Sequence, residues 1–183
     1  YGQKAYKLQS PDGNIQVSIS LSDKIYYDVT YQQDTLLKQC NLQMELSNQE
    51  LGNAPKLAGV NKKSVDESLK PVIPLKYSTV ANKYNQLLMK FKGDYSVEFR
   101  AFNDGIAYRF ITNKKGMIEV NNETFQVNFP ENYLLHVQHP GGFKTAYEEE
   151  YKHIESKDWK SSDKMALLPI LIDTHKDLSL IHI

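Results

Sequence analysis

Residues 95–110 read YSVEFRAFNDGIAYRF, and the reading of this stretch decides the fold. Two alternating runs flank Asp104-Gly105, the strongest short-range hairpin signal a sequence carries. With those two residues at the centre of a type I′ turn, Phe102 faces Ala107, Ala101 faces Tyr108 and Phe99 faces Phe110. One face is then Val97, Phe99, Ala101, Tyr108 and Phe110, with no charge on it. A three-residue turn would move Arg109 onto the face of Val97 and Phe99. A one-residue slip exchanges the faces, so the uncharged pattern selects the two-residue turn.

That register sets Arg100 opposite Arg109 on the other face. They are the only arginines in a chain whose lysines and arginines total 22. Like charges across a ladder repel, so a compensating group is expected. Glu98 on the same face is the local candidate. A carboxylate clamp from another strand or a neighbouring domain suits guanidinium forks. A solvated pair whose stems cover Phe102 is the plainer reading.

Working outward, the 183 residues suffice for one domain with a real core. The formal charge is zero, so the electrostatic footprint of a nucleic-acid binder is missing. Apolar runs are too short to span a bilayer. The 12 tyrosines suit sheets whose outer faces meet water or sugars. A single cysteine allows no intrachain disulfide and says nothing firm about compartment. Cys40 shares its alternation with Leu42, Met44 and Leu46, which makes it a buried thiol, not a nucleophile.

Ser10-Pro11-Asp12-Gly13 is a turn. After it, Ile15, Val17, Ile19 and Leu21 alternate inward, and Ile25, Tyr27, Val29 and Tyr31 do the same. Pairing Leu21 with Ile25 puts all eight on one face of a hairpin with a three-residue loop. Residues 39–46 form a third alternating run. Residues 51–74 lack a clear period and read as a long connection with short strands; within it Ser64-Val65-Asp66-Glu67 looks like a capping box with no helix after it, hence a loop. Leu87, Met89 and Phe91 share one side of the next strand, and Lys92-Gly93-Asp94 turns the chain into the central hairpin. Residues 117–120 and 124–129 are further strands. Residues 147–154 suit either two helical turns or an extended loop wall. Pro169 interrupts an apolar run at 166–173 that fits a strand start or an edge strand. Many short strands joined by Gly, Pro and Asp turns mean an antiparallel sandwich, and no internal repeat points to a propeller or solenoid.

Three features are candidates for chemistry. His136 and His139 invite a metal reading, but i and i+3 on a strand point to opposite faces, so one ion needs a bend at Pro140. Glu148, Glu149 and Glu150 sit among Tyr147, Tyr151 and His153, as carboxylates and aromatics do where sugars are bound or hydrolysed; a charged run is more often a solvated face. Trp159, with Tyr147 and Tyr151, could stack on a sugar ring, or Trp159 could pack in a core or against another domain. No nucleophile elbow, phosphate loop, paired-cysteine motif or dinucleotide fingerprint appears. Spacing alone describes an all-β module without a self-contained active site.

The run from Phe99 to Phe110 also resembles the signature of the N-terminal domain of glycoside hydrolase family 97. Ser10-Pro11-Asp12-Gly13, Ser64-Val65-Asp66-Glu67, Ser78-Thr79-Val80 with Tyr84-Asn85, Phe125 to Phe129-Pro130, and Leu168-Pro169-Ile170-Leu171-Ile172-Asp173 follow in the family's order. The hairpin by itself is moderately specific; the ordered set is strong. Departures fall at Ser22-Asp23-Lys24, where relatives often carry Gly, and at Lys70-Pro71-Val72-Ile73, where an aromatic is frequent.

The resemblance implies a large antiparallel β-sandwich of the galactose mutarotase-like super-sandwich type, incomplete at its C-terminus. Its expected partners are a downstream (β/α)8 catalytic barrel and an α-linked oligosaccharide. Family members are exo-acting α-glucosidases or α-galactosidases, typically periplasmic and calcium-dependent. Their acid and base or nucleophile belong to the barrel, and the sandwich lends the calcium site a glutamate, expected here shortly after the Asp173 strand. No catalytic or metal residue therefore transfers to this chain, and no cofactor is expected within it. Residues 1–177 are read as the partial sandwich domain. Residues 178–183 read like a translated sequencing-library adapter, an expectation that the codons test. Tyr1 is not an initiator Met, which points to a processed or missing start. The alternative is a free-standing carbohydrate-binding or interaction sandwich.

Overall fold

The computed structural model describes residues 5–74, 76–160, 165–176 and 178–181. The strands are β1 Ala5–Gln9, β2 Ile15–Leu21, β3 Ile25–Tyr31, β4 Asp34–Leu46, β5 Gln49–Leu51, β6 Leu57–Leu69 and β7 Val80–Phe91. They continue with β8 Tyr95–Phe102, β9 Gly105–Thr112, β10 Val120–Phe125, β11 Leu134–Val137, β12 Lys152–Glu155, β13 Ile170–Asp173 and β14 Leu178–Ile181. A 3-10 turn at Ser156–Asp158 is the one helical element among the described residues. The chain divides into two compact units at Asn128/Phe129, each with its own apolar cluster.

The first unit is a sandwich of two antiparallel sheets, ordered β1-β2-β3-β4-β10, with β5 also on β4, and β6-β7-β8-β9. The β2–β3 hairpin closes as the alternation predicts, with Leu21 paired to Ile25. Ile15, Val17, Ile19, Ile25, Tyr27 and Val29 are buried, while Leu21 and Tyr31 sit half-buried at the rim. Opposite them, Leu87, Met89, Phe91, Val97, Phe99 and Ala101 form the inner face of the second sheet. Tyr27 meets Phe99 at 6.1 Å between ring centroids, and Tyr108 stacks on Phe125 at 5.7 Å, so aromatic pairs tie one sheet to the other. The predicted turn at residues 10–13 forms, with Gly13 N–H donating to Ser10 O at 2.9 Å and Gly13 at φ +78°.

The central hairpin keeps its predicted faces but not its predicted turn. Phe102 pairs with Gly105, Phe99 with Tyr108 and Val97 with Phe110. Asn103 and Asp104 are thus the loop, and none of Asn103, Asp104 and Gly105 takes a positive φ, which excludes a type I′ turn. The ladder has moved by an even step, and an even step leaves every side chain on its own face. Asp12 N–H donates to Asn103 Oδ1 at 3.1 Å, so this turn is held by the loop between β1 and β2.

Two further expectations are corrected. Residues 64–67 lie inside β6, a strand of 13 residues paired along its length with β7. Most of its side chains are exposed on both faces, so no alternation marks it in the sequence. Between residues 117 and 129 a single strand, β10, pairs with β4 in place of two.

The second unit has a four-stranded antiparallel sheet ordered β12-β11-β13-β14. Tyr133, Leu135, Val137 and Ile172 are its buried cluster, with Phe129, Ile154, Trp159 and Ile170 packed around it. Pro169 precedes β13, which lies inside the sheet, so of the two options for that run the strand start is the one realised. The backbone of Leu178–Ile181 pairs with β13; any apolar stretch can pair so, and the codons still decide its origin.

Candidate functional site

The outer face of the β8–β9 hairpin carries a charge cluster of Glu98, Arg100 and Arg109. Glu98 pairs across the ladder with Arg109, and Arg100 with Ala107, so the arginines stand diagonally and not face to face as the type I′ register required. Glu98 Oε1 lies 2.7 Å from Arg100 Nε and 3.2 Å from Arg109 Nε. Arg100 also covers the Tyr84 ring at 4.6 Å, and Tyr84 packs on Phe102 at 5.0 Å between centroids. One buried carboxylate therefore compensates two guanidinium groups, with Arg100 further held by an aromatic face. The compensating group that like charges demanded is the local one, Glu98. A depression of about 100 Å³ bounded by Glu98, Arg100, Ala107, Tyr108 and Arg109 is too small for a sugar ring.

A larger polar cleft of about 560 Å³ opens between the β1–β2 and β6–β7 strands of the first unit. Lys7, Gln9, Gln16, Lys62, Lys63, Ser64, Asn85 and Gln86 line it with Leu8. Lys62 Nζ donates to Lys7 O at 2.7 Å and Asn85 Nδ2 to Gln9 O at 2.8 Å, so these side chains bridge the sheets. Its lining holds amides and amines but no carboxylate, so it cannot supply the pair of carboxyl groups that glycoside hydrolysis uses.

In the second unit Tyr147 and Tyr151 are exposed, in the loop before β12 and beside its start. Tyr147 sits at φ +56° and its hydroxyl donates to Phe143 O at 2.7 Å. Glu148, Glu149 and Glu150 are exposed in the same loop. Trp159 packs on the cluster of the second unit, 5.7 Å from the His139 ring. His136 and His139 have separate partners: His136 meets His153 on β12, while His139 Nδ1 lies 3.1 Å from Met165 O. The partner of His136 is 17 positions away, and only the β11–β12 pairing reveals it.

Cys40 is fully buried against β3 and the segment that follows β10, and its sulfur accepts the Asn128 N–H at 3.2 Å. Burial pushes its thiol pKa up, the opposite of what a nucleophilic cysteine needs. Burial also raises the Tyr27 and Tyr108 phenols, and for Tyr108 the Glu123 carboxylate, which accepts its O–H at 2.9 Å, adds to the shift.

Layered antiparallel sheets around apolar cores, with bridging amides and a structural ion cluster, define a β-sandwich module. The model of the glycosyl hydrolase 97 N-terminal domain matches residues 8–182, and the chain belongs to that family. It is 33% identical over 180 residues to a retaining alpha-galactosidase of Bacteroides thetaiotaomicron, across 93% of this chain and 27% of the relative. A glycoside hydrolase family 97 enzyme from Pseudoalteromonas sp. strain K8, solved with acarbose, superposes with a TM-score of 0.74 at 20% identity, over 92% of this chain and 27% of that one. A beta-arabinopyranosidase gives a TM-score of 0.76 at 24% identity, over 91% of this chain and 29% of that one. At such identities these structures establish the sandwich fold. The chain spans little more than a quarter of the length of the relatives it matches.

Proposed function

We propose that this chain is the sandwich portion of an exo-acting α-glycosidase, supporting a downstream (β/α)8 barrel and closing one side of its substrate pocket. The observation that carries the reading is the family match along residues 8–182, in a chain that covers 27% of a relative named for α-galactosidase activity. The larger cleft lacks carboxylates, which supports assigning acid–base chemistry on an α-linked oligosaccharide to the barrel. Leu69, Val72, Ile73, Tyr77 and Val80, at the β6–β7 connection and its flanking strand ends, are exposed apolar groups. They suit a surface covered by the barrel. The 33% identity to the α-galactosidase favours a galactoside over a glucoside.

Calcium enters this reading only as a cofactor of the longer enzyme. Among the described residues no three His, Cys, Asp or Glu side chains gather into an ion site, and no step is assigned to calcium here. A periplasmic setting belongs to the same proposal. The test is the purified chain incubated with aryl α-galactoside and aryl α-glucoside. No turnover is expected from it, and an open frame running on into a barrel is expected in the adjoining DNA. Turnover by this chain alone overturns the reading. The exposure of Tyr147 and Tyr151 favours a second reading, a carbohydrate-binding sandwich. Binding of a soluble α-glucan that is lost in Tyr151→Ala would select it.

A further inference from the structure

We propose that His136 and His153 form a two-imidazole site for a late first-row divalent transition ion, Cu²⁺, Ni²⁺ or Zn²⁺. The inference is independent of the glycosidase reading. The two residues are direct cross-strand partners on β11 and β12. Their Nδ1 atoms lie 2.7 Å apart, and the rings meet edge to face at 83° with centroids separated by 4.7 Å. On either side of His136, Leu135 and Val137 point into the buried cluster, which fixes β11 and turns His136 to the opposite face. His153 is exposed, so the pair opens to solvent.

The chemistry follows from the proton count. A hydrogen bond between two ring nitrogens needs one to donate and the other to accept, so in this contact one imidazole presents a lone pair to the other. An ion replaces that proton once both rings carry their hydrogen on Nε2. Metal–nitrogen bonds of about 2.0–2.1 Å place two cis nitrogens about 2.9 Å apart at a right angle and about 3.3 Å apart at a tetrahedral one. The nitrogens thus separate by about 0.2 Å for tetragonal geometry and by about 0.6 Å for tetrahedral geometry, with both rings turning to aim their lone pairs at the ion. The smaller movement favours Cu²⁺ and Ni²⁺ over Zn²⁺. Glu155 lies two positions along the same face of β12, with its Oε2 accepting from the Asn132 amide. Among the described residues no third ligand joins the two histidines, so water completes the coordination.

The experiment titrates the full chain with Cu²⁺, Ni²⁺ and Zn²⁺ separately, and with Mg²⁺ and Ca²⁺ as oxygen-seeking controls. Imidazole C–H resonances are followed by NMR and affinities by calorimetry. The His136 and His153 signals are expected to broaden first with Ni²⁺, with affinity ordered Cu²⁺ over Ni²⁺ over Zn²⁺ and no response to the controls. His136→Asn and His153→Asn should each weaken binding by at least about tenfold, since even outer-shell partners of metal ligands are worth that much. His139→Asn should leave it unchanged. Broadening that reaches His139 or His175 first, or unchanged affinity in His136→Asn, overturns the site. If either variant loses its far-UV CD spectrum, the order of broadening in the unaltered chain decides alone.

Discussion

Replacing Glu98 by alanine tests the charge cluster on the outer face of the β8–β9 hairpin. The Glu98 side chain is 6% exposed, Arg100 31% and Arg109 59%. Unit charges about 4 Å apart attract by about 4 kcal/mol at an effective dielectric of about 20, before desolvation is subtracted. For Arg100, partly buried and bonded at 2.7 Å, a net coupling of about 1.5–3 kcal/mol is expected, as for hydrogen bonds between charged groups. Arg109 is more than half in water, so its coupling falls to about 0.2–1 kcal/mol. Glu98→Ala should therefore destabilise the fold by about 2–4 kcal/mol, the sum of both couplings. Urea unfolding by far-UV CD, run as double-mutant cycles with Arg100→Ala and Arg109→Ala, separates the two terms. In 1 M salt, where the screening length drops to about 3 Å, the Arg109 coupling should vanish and the Arg100 coupling persist. An Arg109 coupling equal to or above that of Arg100, or a loss below about 1 kcal/mol for Glu98→Ala, refutes the reasoning.

Phe99→Ala should cost about 3–5 kcal/mol in the same assay, since the ring is buried between Tyr27 and Tyr108. Gly52→Ala and Gly13→Ala separate strain from crowding: both sites have positive φ, but a Cβ at Gly52 would sit 2.5 Å from Leu42 O, whereas Gly13 faces open space. A loss of about 1–2 kcal/mol is expected at Gly13 and a clearly larger one at Gly52, read from urea midpoints. Cys40 should resist a thiol reagent in the native chain and react at once in urea; native labelling at the unfolded rate would contradict its burial. Tyr27 and Tyr108 have folded-state phenol pKa values raised above the ordinary value. Their contribution is complete below pH about 10 and declines above it, because the unfolded chain then gives up its protons first. Tyr27→Phe should flatten that alkaline loss in a stability–pH series.

How much of this was legible depends on what each residue must hide. The β2–β3 faces are readable because both flanks of the Ser22-Asp23-Lys24 loop are apolar on one face only, and the polar turn they bracket sets Leu21 against Ile25. In the central hairpin the same argument fixes the faces, and Phe99 and Tyr108 do share one. It cannot fix the turn, since sliding the ladder by an even step buries the same side chains. Asn103 is chosen for the loop by its bond to Asp12, a contact 91 positions away. β6 was invisible because a strand in water on both faces has no period to display. Of the candidate site residues, Glu98 was the easiest to foresee, since two arginines on one face require an acid. The His136–His153 pair was the hardest, because nothing local links β11 to β12 across the long loop between them.

The long β6 strand ends its sheet, which leaves one row of its backbone amides and carbonyls without a ladder partner in that sheet. Such a row is a template on which a second molecule can crystallise its own backbone, and the growth that follows is fibrous. Lys62, Lys63, Asp66 and Glu67 stand along it, all exposed, and two molecules approaching there must strip the hydration from every one of these charges. Turning the four into threonine would cut the Lys62 bridge to β1 and the Asp66 and Glu67 contacts to β7, and hand the sandwich a sticky seam.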